Sequence, residues 1–371
     1  MKDTRFAGLL TVVILLFAVG FWLGKKRQQP AAGKITERSE TSTSAAPQAK
    51  SHTATVLDHS PAALLARLFD KLRSGGIAPG ELDAFRRELL DADPALAIVA
   101  MVKFLATGQD ALTGESFIVG KDGELTGTPT MRALMLDLLG RLCKQTRTGE
   151  AATVSRALLE KKTSADEWAL ALRNVAWSTP NDRAFLAAKT RELLHHEPWR
   201  QQPSGGYYEA FDVAVYLRDA SFVADFSPLV QGEDKNLQRG ASVALDRLAE
   251  MAPLDVMNYL NTNPAELAAK PFLRADYFSK ADLTQPPQRA AMETYLARAD
   301  VATDEKAKML AVLASPGSFA SDTLLTPPPS ADDEPPQRAA SIHQAATDWL
   351  KTNHFPTLTQ PLLHLLANTA Q

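Results

Sequence analysis

The residues best placed to do chemistry in this 371-residue sequence are Glu192, His195, His196 and Glu197. On a helix the carboxylate at 192 faces both imidazoles, three and four positions on. That is half of the Glu-x-x-His device found in carboxylate-bridged metal bundles. The other half is missing, because no second Glu-x-x-His occurs anywhere in the chain. Two histidines at a helix end just ahead of Pro198 complement its negative dipole instead, so no metal is expected there. His343, His354 and His364 have no ligand spacing. Cys143 is the single cysteine, which rules out an intramolecular disulfide, a CxxC redox pair and a thiolate zinc site. Its setting, LMLDLLGRLCK, predicts a buried small hydrophobe. In GESFIVGKDGELTGTP, Glu115, Asp122 and Glu124 supply too few oxygens for a calcium loop. The beta-branched residues around Gly120-Lys121-Asp122-Gly123 predict a small hairpin over about 117–126. The chain has no G-x-S-x-G elbow, phosphate-binding glycine loop, G-x-G-x-x-G or H-E-x-x-H. No cofactor and no catalytic residue is therefore assigned.

The densest aromatic group is Trp199, Tyr207, Tyr208, Phe211, Tyr216, Phe222 and Phe226. Rings at such spacing are expected first as core. The functional alternative is a partner-binding groove, since Tyr and Trp favour interface hot spots. Beside Gly205-Gly206, the candidate interaction residues are Trp199, Tyr207, Tyr208 and Phe211.

The elements that position these residues begin with a change of solvent. Phe6 to Gly24 is an uncharged run of 19 residues, about 28 Å long as a helix against a hydrocarbon core of roughly 30 Å. A cleaved signal peptide has a shorter apolar region and a small-x-small cleavage site. Here Trp22 stands at the end of the run, and Lys25, Lys26 and Arg27 follow as a stop-transfer cluster. The expectation is a retained single-pass signal-anchor, with residues 6–24 in the lipid bilayer. Basic residues on both sides leave orientation finely balanced, and the Ser/Thr/Ala-rich spacer places the body on the extracytoplasmic (periplasmic) side. Residues 25–56 are nearly empty of large apolar side chains and read as a disordered linker.

The body, 57–371, has the composition of a globular domain: the whole chain is 45 % hydrophobic and 22 % charged. Of 40 basic and 43 acidic side chains, eight and three precede residue 57, leaving a net charge of about −8 for the body. That sign suits no phosphate backbone, and no nucleic acid is expected. Ser60-Pro61, Asp93-Pro94 and Thr128-Pro129 are helix starts. Ser164 with Glu167 forms a capping box ahead of a helix through Trp177. Further helical patterns run over 80–91, 94–107, 129–147, 150–162, 182–196, 207–218, 220–231, 236–251, 287–299, 303–314, 336–351 and 358–369. Short helices with short gaps pack as antiparallel neighbours. TPPPSADDEPP, Thr326 to Pro336, reads as a stiff acidic spacer.

PPQRAA occurs at 286–291 and again at 335–340, an offset near the period of helical solenoids. Asp219 to Glu250, DASFVADFSPLVQGEDKNLQRGASVALDRLAE, resembles a HEAT repeat. The match consists of a first helix ending in Leu229-Val230, an acidic turn at Glu233-Asp234, and a second helix carrying Leu237, Arg239, Ala241, Ala244, Leu245 and Leu248. Gln238 departs from a position that is often basic, and no other segment repeats the full pattern. The resemblance implies an all-α, α-solenoid-like domain with a concave surface for partners.

The function expected from the sequence is a membrane-tethered protein-protein interaction scaffold built from HEAT-like repeats, with protein partners of unstated identity. The alternatives are an enzyme, such as a hydrolase, with a non-local active site, and a structural envelope protein.

Overall fold

The computed structural model describes residues 58–315, 317, 321–328 and 337–369. The expected anchor and linker lie outside them. Among the described residues no helix is long and apolar enough to cross a membrane.

The described chain is all-helical apart from one hairpin. It runs through α1 (Pro61–Arg73), α2 (Glu81–Asp91), α3 (Pro94–Thr107), β1 (Ile118–Val119), β2 (Leu125–Gly127), α4 (Met131–Thr146), α5 (Glu150–Leu159) and α6 (Ala165–Ser178). The middle holds α7 (Arg183–Leu194), α8 (Glu197–Gln201), α9 (Gly205–Glu209), α10 (Asp212–Leu217), α11 (Phe222–Gln231) and α12 (Lys235–Met251). It ends with α13 (Pro253–Thr262), α14 (Pro271–Phe278), α15 (Pro286–Ala297), α16 (Thr303–Leu313), α17 (Arg338–Lys351) and α18 (Thr359–Thr369).

Local chemistry sets most of these starts. Side-chain oxygens of Ser60, Asp93, Thr130, Ser164 and Asp234 each accept from a backbone N–H in the first turn, satisfying donors that the helix itself leaves open. Thr128-Pro129 is not the start of α4. Thr130 caps that helix, while the Thr128 N–H donates 2.9 Å to Glu115, whose carboxylate also pairs with the Arg86 guanidinium. In the hairpin, Ile118 faces Gly127 and Val119 faces Leu125, across a turn in which Asp122 and Gly123 have φ of 59° and 76°.

The helix expected over 207–218 is broken. Bonds of i→i−3 type at Phe211, Val213 and Ala214 tighten the chain between α9 and α10. The helices α13 and α14 were not apparent in the sequence pattern, and both begin at a proline.

Packing is mostly between near neighbours in the chain. Alternate helices form a ladder, with α4 on α6, α12 on α14, α14 on α16 and α16 on α18, and α5–α6, α11–α12 and α17–α18 pack as consecutive pairs. Leu237, Ala241, Ala244, Leu245 and Leu248 of α12 are all buried, so the apolar stripe expected there faces the interior. Cys143 is buried too. The two PPQRAA segments differ in role. Arg289 on α15 pairs with Glu293 and Asp348 at a partly exposed site, whereas Arg338 is buried and donates to the carbonyls of Ser279 and Leu313. The shared letters therefore do not place shared contacts.

Three ionic networks lie inside. Arg173 and Asp137 are fully buried and pair at 2.7 Å, Arg132 meets Glu167 at 2.9 Å, and Arg274 meets Glu305 at 2.7 Å.

Candidate functional site

The feature that departs from near-neighbour packing is the segment 321–328. It reaches back to α10, and the means is one carboxylate. Asp212 accepts the backbone N–H of Leu325 at 2.7 Å, the N–H of Thr326 at 2.9 Å and the Thr326 hydroxyl. Arg247 of α12 donates to the Thr326 hydroxyl at 3.0 Å and to the Pro327 carbonyl at 2.6 Å. Burial raises the Asp212 carboxyl, partly offset by the donors from Thr326 and Leu325. Leu324 is fully buried, and its carbonyl lies against Gly123 of the hairpin turn, with Trp177 alongside. This short strap, bent at Leu324 to Thr326, thus meets the helices on one side and the hairpin on the other. Thr326, read from the sequence as the start of a spacer, is 4 % exposed and part of this strap. The rest of that spacer, 329–336, lies outside the described residues.

Beside the strap is a cavity of about 470 Å³ between α9, α10 and α12, closed on one side by Ser321, Asp322 and Thr323. Tyr208 and Phe211 supply aromatic wall, with ring centroids 6.1 Å apart at 71°. Gly240 on α12 makes room for them: a Cβ there would come 2.9 Å from Tyr208 Cδ1 and 3.4 Å from Phe211 Cε2. Glu209 lines the same cavity. Burial and the neighbouring Asp212 push its carboxyl up to about 7.

The four candidate interaction residues do not form one surface. Tyr208 and Phe211 meet at the cavity. Phe211 is 2 % exposed and packs on Phe226 as core. Tyr207 is fully buried, as the core expectation for these rings has it, and its hydroxyl donates 3.0 Å to the Leu194 carbonyl. That burial lifts its hydroxyl to about 12. Trp199 packs edge-on against Trp168 at 5.2 Å and against His196 at 4.1 Å. A glycine pair in front of aromatics suggested an exposed corner. Instead Gly206 is buried, its N–H donating 2.8 Å to Asp166.

The Glu-His cluster is dispersed. Glu192 pairs with Lys162 and Lys189, His195 meets Asp225 at 2.8 Å, and Glu197 pairs with Arg200. His196 is lowered by burial and by Lys162. Among the described residues no group of three or more His, Cys, Asp or Glu is arranged to hold a metal ion.

Sequence reading missed Glu209, Asp212, Arg247 and the strap. The strap that joins Asp212 and Arg247 is far from both in sequence, and Thr326 is 114 residues from Asp212. The only hint was a carboxylate within an apolar run, DVAVYL. Comparison of the chain with family models, curated proteins and solved structures finds no match.

Proposed function

We propose that the chain is a membrane-tethered scaffold that binds other proteins through a HEAT-like helical-repeat body. The observation that carries this reading is the strap. The body holds a bent stretch of chain, distant in sequence, against α10 and α12 through its backbone N–H groups, a carbonyl and a hydroxyl, so side chains of this face already receive a peptide segment by its main-chain groups. Near-neighbour packing of the helices supports a solenoid-like plan, since stacked repeats bury a continuous core and leave long faces for partners. The tether rests on the uncharged run Phe6 to Gly24 and the Lys25-Lys26-Arg27 cluster after it. The spacer composition favours a body on the extracytoplasmic side.

The enzyme alternative gains little from the cavity. Its carboxylates are Glu209, Asp212 and Asp322, and Asp212 has both oxygens engaged by the strap. That leaves no nucleophile–base pair among the described lining residues.

The test is co-purification of the full chain after detergent solubilisation, with bound proteins identified by mass spectrometry. One or a few reproducible partners, retained through stringent washing, are expected. Their absence across independent preparations would end the scaffold reading. For the tether, deletion of residues 2–27 should move a folded body into the soluble fraction; a body that still sediments with membranes contradicts it. A periplasm-only and a cytoplasm-only reporter at the C-terminus decide the orientation.

A further inference from the structure

Every fully buried carboxylate among the described residues has its counter-charge or its donors. Asp137 has Arg173, Glu167 has Arg132, Glu305 has Arg274, and Asp212 has the strap. Glu209 differs from them. It is half-buried and lines a cavity, and no hydrogen bond or ion pair among the described residues engages its side chain. A carboxylate partly withdrawn from water is left without the compensation the others have.

What surrounds it defines a complement. The wall beside Glu209 is aromatic and aliphatic: Tyr208, Phe211, Val215, Val243 and Ala244. Aromatic faces attract cations. Volume is sufficient, since about 470 Å³ falls within the roughly 300–1,000 Å³ typical of small-molecule sites. An anion would face Glu209 and Asp212 together. The cations on α12 are placed for other work: Arg247 is engaged by the strap, and Arg239 is an exposed side chain at the rim. Neither contributes to the state of the Glu209 carboxyl, which is set by burial and by Asp212.

We propose that this cavity is a binding site for a small amphipathic organic cation, a primary ammonium on an aromatic or apolar body, with Glu209 receiving the charge and the Tyr208 and Phe211 rings receiving the body. The proposal goes beyond the scaffold reading and does not depend on it.

Binding should also follow pH. The groups facing Glu209 are Tyr208 on its own helix, Asp212 on α10, Arg239 and Arg247 on α12, and Asp322 on the strap. Glu209 changes charge near neutrality, while the ammonium, with a pKa of about 10, stays charged. A carboxyl titrating at about 7 is roughly nine-tenths ionised at pH 8 and a tenth at pH 6, so affinity should drop about tenfold between them.

The experiment is isothermal titration of the full-length chain in detergent micelles with 2-phenylethylammonium, with 2-phenylethanol and 3-phenylpropionate as the neutral and anionic counterparts. Saturable one-to-one binding of the ammonium alone is expected, weakening about tenfold from pH 8 to pH 6 and lost in Glu209→Gln. Gly240→Ala, which drives Tyr208 toward the cavity, should weaken it while leaving the carboxylate in place. Circular dichroism of both variants confirms that they fold. The proposal is overturned if the ammonium does not saturate at millimolar concentration, if a folded Glu209→Gln variant binds it equally well, or if the alcohol or the carboxylate binds as tightly.

Discussion

At the scale of single residues, the half-buried Glu209 and the buried Arg173 make opposite statements about stability. Glu209 has no compensating partner among the described residues, so its carboxyl is raised to about 7 from an unfolded value near 4.3. A raised carboxyl stabilises the fold fully below the unfolded pKa, and that contribution is lost as pH rises through about 7. Glu209→Gln removes the penalty. The variant should match the parent near pH 4 and exceed it at pH 8 by on the order of 2–3 kcal/mol, as read by chemical denaturation at the two pH values. Equal stability at both would mean that Glu209 is not desolvated. Arg173 is the reverse case. Its guanidinium donates to Asp137 and to the Gly123 carbonyl, both at 2.7 Å. Arg173→Met leaves Asp137 buried with the Leu125 N–H at 3.1 Å and the longer contact to Arg141 at 3.7 Å, and should cost about 3–5 kcal/mol. Adding Asp137→Leu should recover part of that loss. A double variant no better than the single would mean that Arg173 acts through the hairpin carbonyl and not through its ion pair.

At the scale of elements, the strap and the hairpin test each other through a glycine. Gly123 and Gly108 share nearly the same backbone, with φ of 76° and 72°. Any L side chain is strained there, by about 1 kcal/mol. A Cβ at Gly108 meets nothing within 4 Å, whereas one at Gly123 would run into the Leu324 carbonyl. Gly108→Ala should therefore cost only the backbone term. Gly123→Ala should cost clearly more and should raise amide hydrogen exchange at Leu325 and Thr326, whose N–H groups Asp212 holds. Equal costs, with unchanged exchange, would separate the strap from the hairpin. Elements with local signals were legible in the sequence. Ser60, Asp93, Ser164 and Asp234 announce their helices because a cap acts within three residues, and the α12 stripe was readable because its period is its own. The short turn at Lys121–Gly123 made the hairpin readable in the same way. The break between α9 and α10 was not, because nothing in Glu209-Ala210-Phe211-Asp212 forbids a continuous helix, and the distant strap bonds Asp212 at that break. For the same reason the anchoring of the Gly205-Gly206 corner was not legible: Asp166, which accepts the Gly206 N–H, lies 40 residues away.

At the scale of the molecule, a ladder of near-neighbour helices is joined by a long-range tie that holds the strap against α10 and α12. A chain that packs mainly on its own sequence neighbours is stabilised step by step, which leaves its faces free for recognition. The HEAT-like resemblance of α11 and α12 and the tether ahead of residue 57 belong to the same proposal, in which partners are gathered near a bilayer. Its most direct test is site-specific photocrosslinking in living cells. A photoreactive phenylalanine replaces Arg239, at the rim of the cavity beside the strap, or Arg87, an exposed position on α2. If the strap side of α12 receives other proteins, position 239 should give discrete adducts that contain a second polypeptide, and position 87 should give none. No adduct from position 239, or the same adducts from both positions, would contradict a partner-binding face beside the strap.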